Sequence, residues 1–411
     1  MPHLSRRLLL QASGLSLLGL ASAPPFLARA AQQVPGGGRR VLVTLFLRGG
    51  ADGLSLVAPV GDADYVRLRP TIALRATGEH AARRLDDTFG LHPGLAALMP
   101  QWSDGTLAVV HAVGLPQAMR SHFDAQDFVE TGTPGVKSTH EGYLNRVLAQ
   151  LPAEPASAFR AVAIQDTLPL ALAGTAPALA LEALADFRLR EPQRGATFAS
   201  LYAGAVDEAL RTTGAEASAA LARVRDDGLA DLPPANGAAY PRSPLGKRLQ
   251  DIARLIRADV GLQVAATEMG GWDTHMAQGI TTGHFASRAR ELGEALGAFV
   301  QDLGPRWSDV LVVVMTEFGR TVKENGSRGT DHGTGSAMLV LGGGVRGGRV
   351  VGPWKGLAPE HLLDGRDVPS LTDFRVVLSE ALEGHLGVRS LASVFPGFQL
   401  RPEARLSLLR G

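Results

Sequence analysis

Apolar residues along this chain fall in short dense runs separated by glycine-bearing polar stretches. Val41–Leu47 (VLVTLFL) is apolar and β-branched almost throughout and ends at Gly49 and Gly50, the pattern of a strand buried on both faces that opens into a loop. Similar runs predict strands at Leu107–Val113, Ala161–Ile164, Val264–Ala266, Val310–Met315 and Ala337–Leu341. Between them the spacing turns helical. LHPGLAALMPQWSDG reads as a helix, RSHFDAQDFVETGTPG as a polar loop entering a helix, and Pro244–Asp259 as another helix. From about residue 180 to 257 the chain is rich in Ala, Leu and Arg at helical spacing, broken by LPPANGAAYPRSP, and reads as an inserted helical segment. Strands alternating with helices imply an α/β fold with a mostly parallel central sheet.

Residues 1–30 have a different logic. Arg6 and Arg7 precede an apolar run through about Ala23, and Ala28-Arg29-Ala30 supplies a small-x-small cleavage site. Paired arginines ahead of a short, Gly-, Ser- and Ala-rich apolar stretch are the pattern of a twin-arginine export signal, too short and too small-residued for a retained anchor. The expectation is therefore passage through the twin-arginine translocase, cleavage, a linker over 31–40, and a single domain over 41–411 that is periplasmic or secreted. No second long apolar stretch appears, so no stable membrane span is expected after cleavage.

Composition narrows the chemistry. Of 411 residues, 41 are Lys or Arg and 40 are Asp or Glu. Loss of the signal removes three arginines and no acid, turning a formal charge of +1 into −2. Such a balance does not suit a nucleic-acid partner. The absence of cysteine excludes disulfides, thiolate metal sites, iron–sulfur clusters and a cysteine nucleophile.

In open α/β sheets, ligands gather beyond the carboxyl ends of the strands. Four strands have ionisable or metal-competent residues beside them: Asp52 in RGGADG, Asp273 and His275 in GGWDTH, Glu317 in TEFGRT, and Asp331 and His332 in GTDHGTG. Oxygen and imidazole donors without thiolate suit Zn, Mn, Mg or Ca. Each has a structural alternative. Asp52 is equally a turn residue, Asp273-Thr-His275 an Asx-turn, and Glu317 a partner for Arg320. Ser121, ahead of His122-Phe123-Asp124, is either a nucleophile or a helix N-cap. His122 and Asp124 are candidates for ligation or proton transfer, and Thr131, Thr133 or water can replace Ser121 as nucleophile.

The stretches LFLRGGADGLS, LHPGLAALMPQW, RSHFDAQDFVETGTPG, GGWDTH, TEFGRTVKENGSRGTDHGTGSAMLVLGGGVRGG and LTDFRVVLSEALEG resemble the bacterial family known as domain of unknown function 1501. More distantly, the order of elements is similar to the alkaline phosphatase superfamily of phosphatases, phosphodiesterases and sulfatases. That resemblance implies a three-layer sandwich with a mostly parallel central sheet. It also implies one or two divalent metals held by Asp52, Asp273, His275, Glu317 and His332, with Ser121 as nucleophile, His122 in acid–base work, and Arg48, Arg120, Arg320 or Arg328 clamping anionic oxygens. Two departures point to a single metal or an altered pair: the usual Asp-x-x-x-His is shortened to Asp273-x-His275, and Phe318 stands where a histidine is usual. The activity so implied is hydrolysis of a small-molecule or envelope-polymer phosphate or sulfate ester; a non-catalytic binding or assembly protein with a degenerate site is the alternative. A formylglycine sulfatase is excluded because Ser121 lacks the required Pro and Arg context, and no Gly-x-Ser-x-Gly elbow surrounds it.

Overall fold

The computed structural model describes residues 39–152, 157–185, 224 and 228–410. The expected signal and most of the linker lie outside these residues, as does most of the expected helical insertion.

Six of the predicted runs are strands: β1 (Val41–Leu47), β2 (Leu107–Gly114), β3 (Ala161–Ile164), β5 (Val264–Met269), β6 (Val310–Met315) and β7 (Ser336–Gly342). Three short strands complete the sheet: β4 (Leu179–Leu181), β8 (Arg349–Val351) and β9 (Thr372–Asp373). The order is β8-β2-β7-β6-β1-β5-β3-β4, with β9 also on β2. All pairings are parallel except those of β7, which runs antiparallel to both β2 and β6. The expected mostly parallel α/β sheet is therefore present, with one reversed strand near its middle. Hydrophobic spacing carries no sign of strand direction, so this reversal was invisible in the sequence.

Central strands that are covered on both faces need apolar side chains at every position. β1 meets this demand, with all seven residues buried. Its odd positions Val41, Val43, Leu45 and Leu47 join one apolar cluster, while Leu42 and Phe46 join another on the opposite face. The first cluster takes in α3 (Pro244–Arg257) and α4 (His284–Leu303), through Leu249, Ile252 and Ile256 and through Leu292, Leu296 and Phe299. Into the second are packed α1 (His122–Thr131), α2 (Tyr143–Leu148) and α5 (Phe374–Ala381), through Phe128, Leu144 and Val377. The predicted helix Pro244–Asp259 is α3, started by Pro244 with the Ser243 hydroxyl accepting from Gly246 N at 3.2 Å. The run after Leu91 is a tighter 3-10 turn over Pro93–Leu98 that continues as a short α-helix at Met99–Ser103. Among the described residues, no helix is long and apolar enough to cross a membrane.

Strand register decides where the chemistry emerges. Phe46 is level with Met315, and Leu47 with Met269, so β1, β5 and β6 end together and release Arg48, Gly270 and Thr316 at one edge. Because β7 is reversed, its start lies at that same edge. His332, four residues before β7, is thereby delivered to the loops that follow β1, β5 and β6.

Candidate metal centre

After β1 the chain turns sharply through Gly49 and Gly50, with φ of +115° and +63°. Side chains have no room here. A Cβ on Gly49 would lie 2.7 Å from the Asp273 backbone N, and one on Gly50 2.5 Å from the Phe318 ring. The turn is stitched to the end of β6: Gly49 N donates to Glu317 Oε1 at 2.9 Å and Ala51 N to Thr316 Oγ1 at 2.9 Å.

Glu317 is fully buried. Beside the Gly49 amide, it accepts from His122 Nδ1 at 2.8 Å and Gln126 Nε2 at 2.9 Å. Burial opposes its ionisation, but these donors outweigh burial and hold the carboxyl at about 2. The same hydrogen bond raises the basicity of the His122 imidazole.

On its other side, His122 Nε2 lies 3.1 Å from His332 Nε2 and 3.5 Å from Asp273 Oδ2. His275 Nε2 stands 3.0 Å from His332 Nε2 and 3.0 Å from Asp273 Oδ1, which is also 3.2 Å from His332 Nε2. Ligand atoms of His122, Asp273 and His332 all fall within 4.8 Å of one another. The far nitrogens fix the tautomers. His332 Nδ1 faces the Arg120 carbonyl at 2.8 Å, His122 Nδ1 faces Glu317, and His275 Nδ1 faces Asp331 Oδ1 at 3.2 Å. A carbonyl or ionised carboxylate only accepts, so each Nδ1 carries a proton, which leaves Nε2 as the atom each ring can offer to a cation. Nε2 atoms about 3 Å apart beside the Asp273 carboxylate are held together either by a shared proton or by a metal cation. Tetrahedral zinc with nitrogens at 2.0–2.1 Å separates its ligands by roughly 3.4 Å, close to these spacings. Imidazoles whose outer N–H is held by a carboxylate or carbonyl are the usual form of a metal-ligating histidine. The residues present therefore fit a cation, with His122, His332 and Asp273 as its donors and His275 beside the last two.

The Asp273 carboxylate is aimed by Arg320, whose Nη2 reaches Oδ1 at 2.5 Å. Burial works against its charge, and Arg320 outweighs it, lowering the Asp273 pKa. Arg320 is itself buried, donating to the carbonyls of Gly50, Thr330, Trp272 and Gly49. It thus ties three loops together and presents no exposed edge to a substrate, unlike the clamp expected from sequence.

Other expected site residues lie elsewhere. The fully buried Asp52 faces Arg69 in a two-pronged ion pair, Oδ2–Nη1 2.5 Å and Oδ1–Nη2 3.0 Å. Ser55 Oγ and Gln278 Nε2 also donate to Oδ2, at 2.6 and 2.8 Å. Its oxygens are occupied, and it is not brought to the histidines. Glu317 is joined to the cluster through His122 instead of offering it a carboxylate. Asp124 pairs with Lys137 at 2.7 Å. Thr131 Oγ1 donates to the Asp127 carbonyl within α1, and Thr133 Oγ1 is bonded to Thr131 and Thr139 just beyond it. Arg48 is held by Glu268 and Glu130, both at 2.7 Å. Ser121 is exposed at the N-cap of α1 and makes no capping hydrogen bond, so its hydroxyl is not used as the cap alternative requires. Gln126, Arg69 and Gln278 escaped the sequence reading; one helical turn from His122 to Gln126 was the available signal for the first, and no spacing rule marks the other two.

The chain matches the profile of the family described as Protein of unknown function (DUF1501) over residues 39–378. It belongs to the DUF1501 family. A search of curated proteins found no match. In this DUF1501 chain the matched span contains every residue of the cluster, from the Gly49–Gly50 turn to His332, together with Arg366 and Asp367 at its rim. Arg366 Nη2 donates to the His332 carbonyl at 2.9 Å, while Arg120 and Arg366 both pair with the fully buried Asp367, at 2.6 and 3.1 Å. Two half-exposed guanidinium groups are thus fixed beside the backbone of His332.

Proposed function

We propose that this protein is an exported metal-dependent hydrolase of phosphate or sulfate esters, on an alkaline-phosphatase-like α/β scaffold. The observation that carries the reading is the convergence of three Nε2 atoms and Asp273, each ring protonated on its far side, at the carboxyl edge of a mostly parallel sheet. Imidazole donors favour Zn over the oxygen-seeking Mg and Ca. When bound, such an ion supplies Lewis-acid stabilisation of an anionic ester and acidifies water. Hydrolysis breaks the ester P–O or S–O bond, leaves hydroxyl oxygen on the anion and a proton on the released alcohol. Arg120 and Arg366, positioned through Asp367, orient the anionic oxygens. The Ser121 hydroxyl, adjacent in sequence to His122 and without a capping partner, is the protein nucleophile, with water in its place as the alternative. Asp273 and His275 have half-exposed side chains, which leaves the centre open to an incoming ester. Export rests on the paired Arg6 and Arg7 ahead of the apolar leader.

A second reading, a binding or assembly protein, is favoured by the engagement of Asp52 with Arg69, which leaves donors for one ion and not two. Elemental analysis of the purified protein, with His332→Ala and Asp273→Ala, tests the centre. One tightly bound Zn, lost in both variants, supports it. Turnover of phosphate or sulfate esters, abolished by chelator and restored by one metal, supports the hydrolase; bound metal without turnover of any ester supports the binding protein; no metal after repletion overturns the hydrolase and leaves the binding protein.

A further inference from the structure

Two large apolar side chains stand out in solvent beside the candidate centre. Phe123 is 86% exposed and Met276 73% exposed, the highest values among the exposed large hydrophobics of the described residues. Each directly follows a histidine of the cluster, His122 and His275, whose Nε2 atoms meet His332 Nε2 at 3.1 and 3.0 Å. One peptide unit spans 3.8 Å between Cα atoms, so both side chains originate on the rim of the centre. Neither is free to fold inward. Phe123 lies in the first turn of α1, whose packed positions are Ala125, Phe128 and Val129. Met276 sits in a segment pinned on both sides: Thr330 N donates to Thr274 O at 3.1 Å, and Ala277 N and Gln278 N donate to the carbonyls of Ser327 and Arg328 at 2.9 Å.

Apolar groups held in water around a charged centre mark a ligand that is polar at one end and apolar at the other. We infer that Phe123 and Met276 select esters whose alcohol portion is apolar, an alkyl or aryl chain lying across the two side chains while the anionic group sits at the histidine cluster between Arg120 and Arg366. This inference rests on the proposed hydrolase centre and names its substrate class. In the reaction the bond from phosphorus or sulfur to the alcohol oxygen breaks; the water-derived hydroxyl stays on the anion, and the apolar alcohol leaves with the proton.

The test uses the metal-loaded full-length protein with methyl, butyl and octyl phosphate, the matching non-hydrolysable alkylphosphonates, and the variant Phe123→Ser, Met276→Ser. In the wild type, KM falls about tenfold or more from methyl to octyl phosphate with kcat changed little, as expected when part of the chain leaves water; in the variant that dependence collapses. Calorimetric binding of octylphosphonate follows the same pattern and needs no turnover. Octylphosphonate binding no tighter than methylphosphonate overturns the inference, whatever the turnover. Chain-length-dependent phosphonate binding without hydrolysis of any ester supports the apolar site and overturns the hydrolase. Metal content of the variant equal to wild type shows that the centre has folded; a chain-length dependence retained in such a variant overturns the assignment to these two residues.

Discussion

The Nε2 atoms of His122 and His332 face each other at 3.1 Å while their Nδ1 atoms are held by Glu317 and by the Arg120 carbonyl. Each ring has its Nδ1 proton claimed on the far side, so the facing Nε2 atoms meet either across a shared proton or across a cation. The buried Glu317 is central to this arrangement, since one of its oxygens receives His122, Gln126 and the Gly49 amide together.

Glu317→Gln is therefore expected to weaken the proposed metal centre without removing a ligand. The amide no longer dictates which nitrogen of His122 carries the proton, and losing the hydrogen-bond partner behind a ligating histidine costs about 10–100-fold in metal affinity. Competition with a chromophoric chelator measures the change. An affinity equal to wild type would show that Glu317 only supports the Gly49 turn.

The Asp52–Arg69 pair gives a different outcome. Burial opposes the Asp52 charge, Arg69 outweighs it, and the carboxyl is held below its ordinary value. Replacing Arg69 by Met leaves a buried carboxylate without its cation, at a cost of about 3–5 kcal/mol. Urea unfolding of Arg69→Met should show this loss, while Asp52→Asn keeps full metal content because Asp52 lies outside the cluster. Loss of metal in Asp52→Asn would return this residue to the ligand set.

Acid should destabilise the fold through histidines remote from the centre. The buried His111 accepts from Ala112 N at Nδ1 and donates from Nε2 to the Val57 carbonyl, so a second proton has no acceptor. Burial pushes its pKa down to about 4. Burial does the same to His385, whose Nε2 bonds the Val41 carbonyl and whose neighbour Arg40 adds to the depression, again to about 4. Both rings bind fewer protons folded than unfolded between about 4 and the ordinary value of 6.5. Stability is thus fully present above pH 6.5 and lost as pH falls through this window, by up to about 1.4 kcal/mol per pH unit for each ring. Replacing either by Gln should flatten the pH dependence of the urea midpoint, and an unchanged slope would assign the acid sensitivity to other groups.

Much of the fold was legible because strands such as Val41–Leu47 and Val310–Met315 must be apolar on both faces, and their limits follow directly from composition. His332, His275 and Asp273 were legible as candidates by their position at strand ends. The sequence left His122 between ligation and proton transfer and assigned Glu317 to ligation, whereas the structure sets His122 among the converging nitrogens and Glu317 behind it. That arrangement turns on which way two side chains point, one from the start of α1 and one from the loop after β6, which no periodicity records. The pairing of Asp52 with Arg69 escaped the sequence for a related reason: the two are 17 residues apart, a distance that marks no motif. The length of α4 also went unread, although Phe285, Ala289, Leu292, Leu296 and Phe299 recur at helical spacing.

The reversed strand β7 has a consequence for the order in which the molecule matures. His122 and His332 are 210 residues apart in the chain, and they meet only when β7 has inserted between β2 and β6. Contacts of such sequence separation form late, after many shorter loops have closed. The cation binding proposed for the cluster should therefore be absent from partly folded chains and arise with the final pairing of the sheet, so that uptake of metal would act as a proofreading step, capturing finished molecules and passing over incomplete ones.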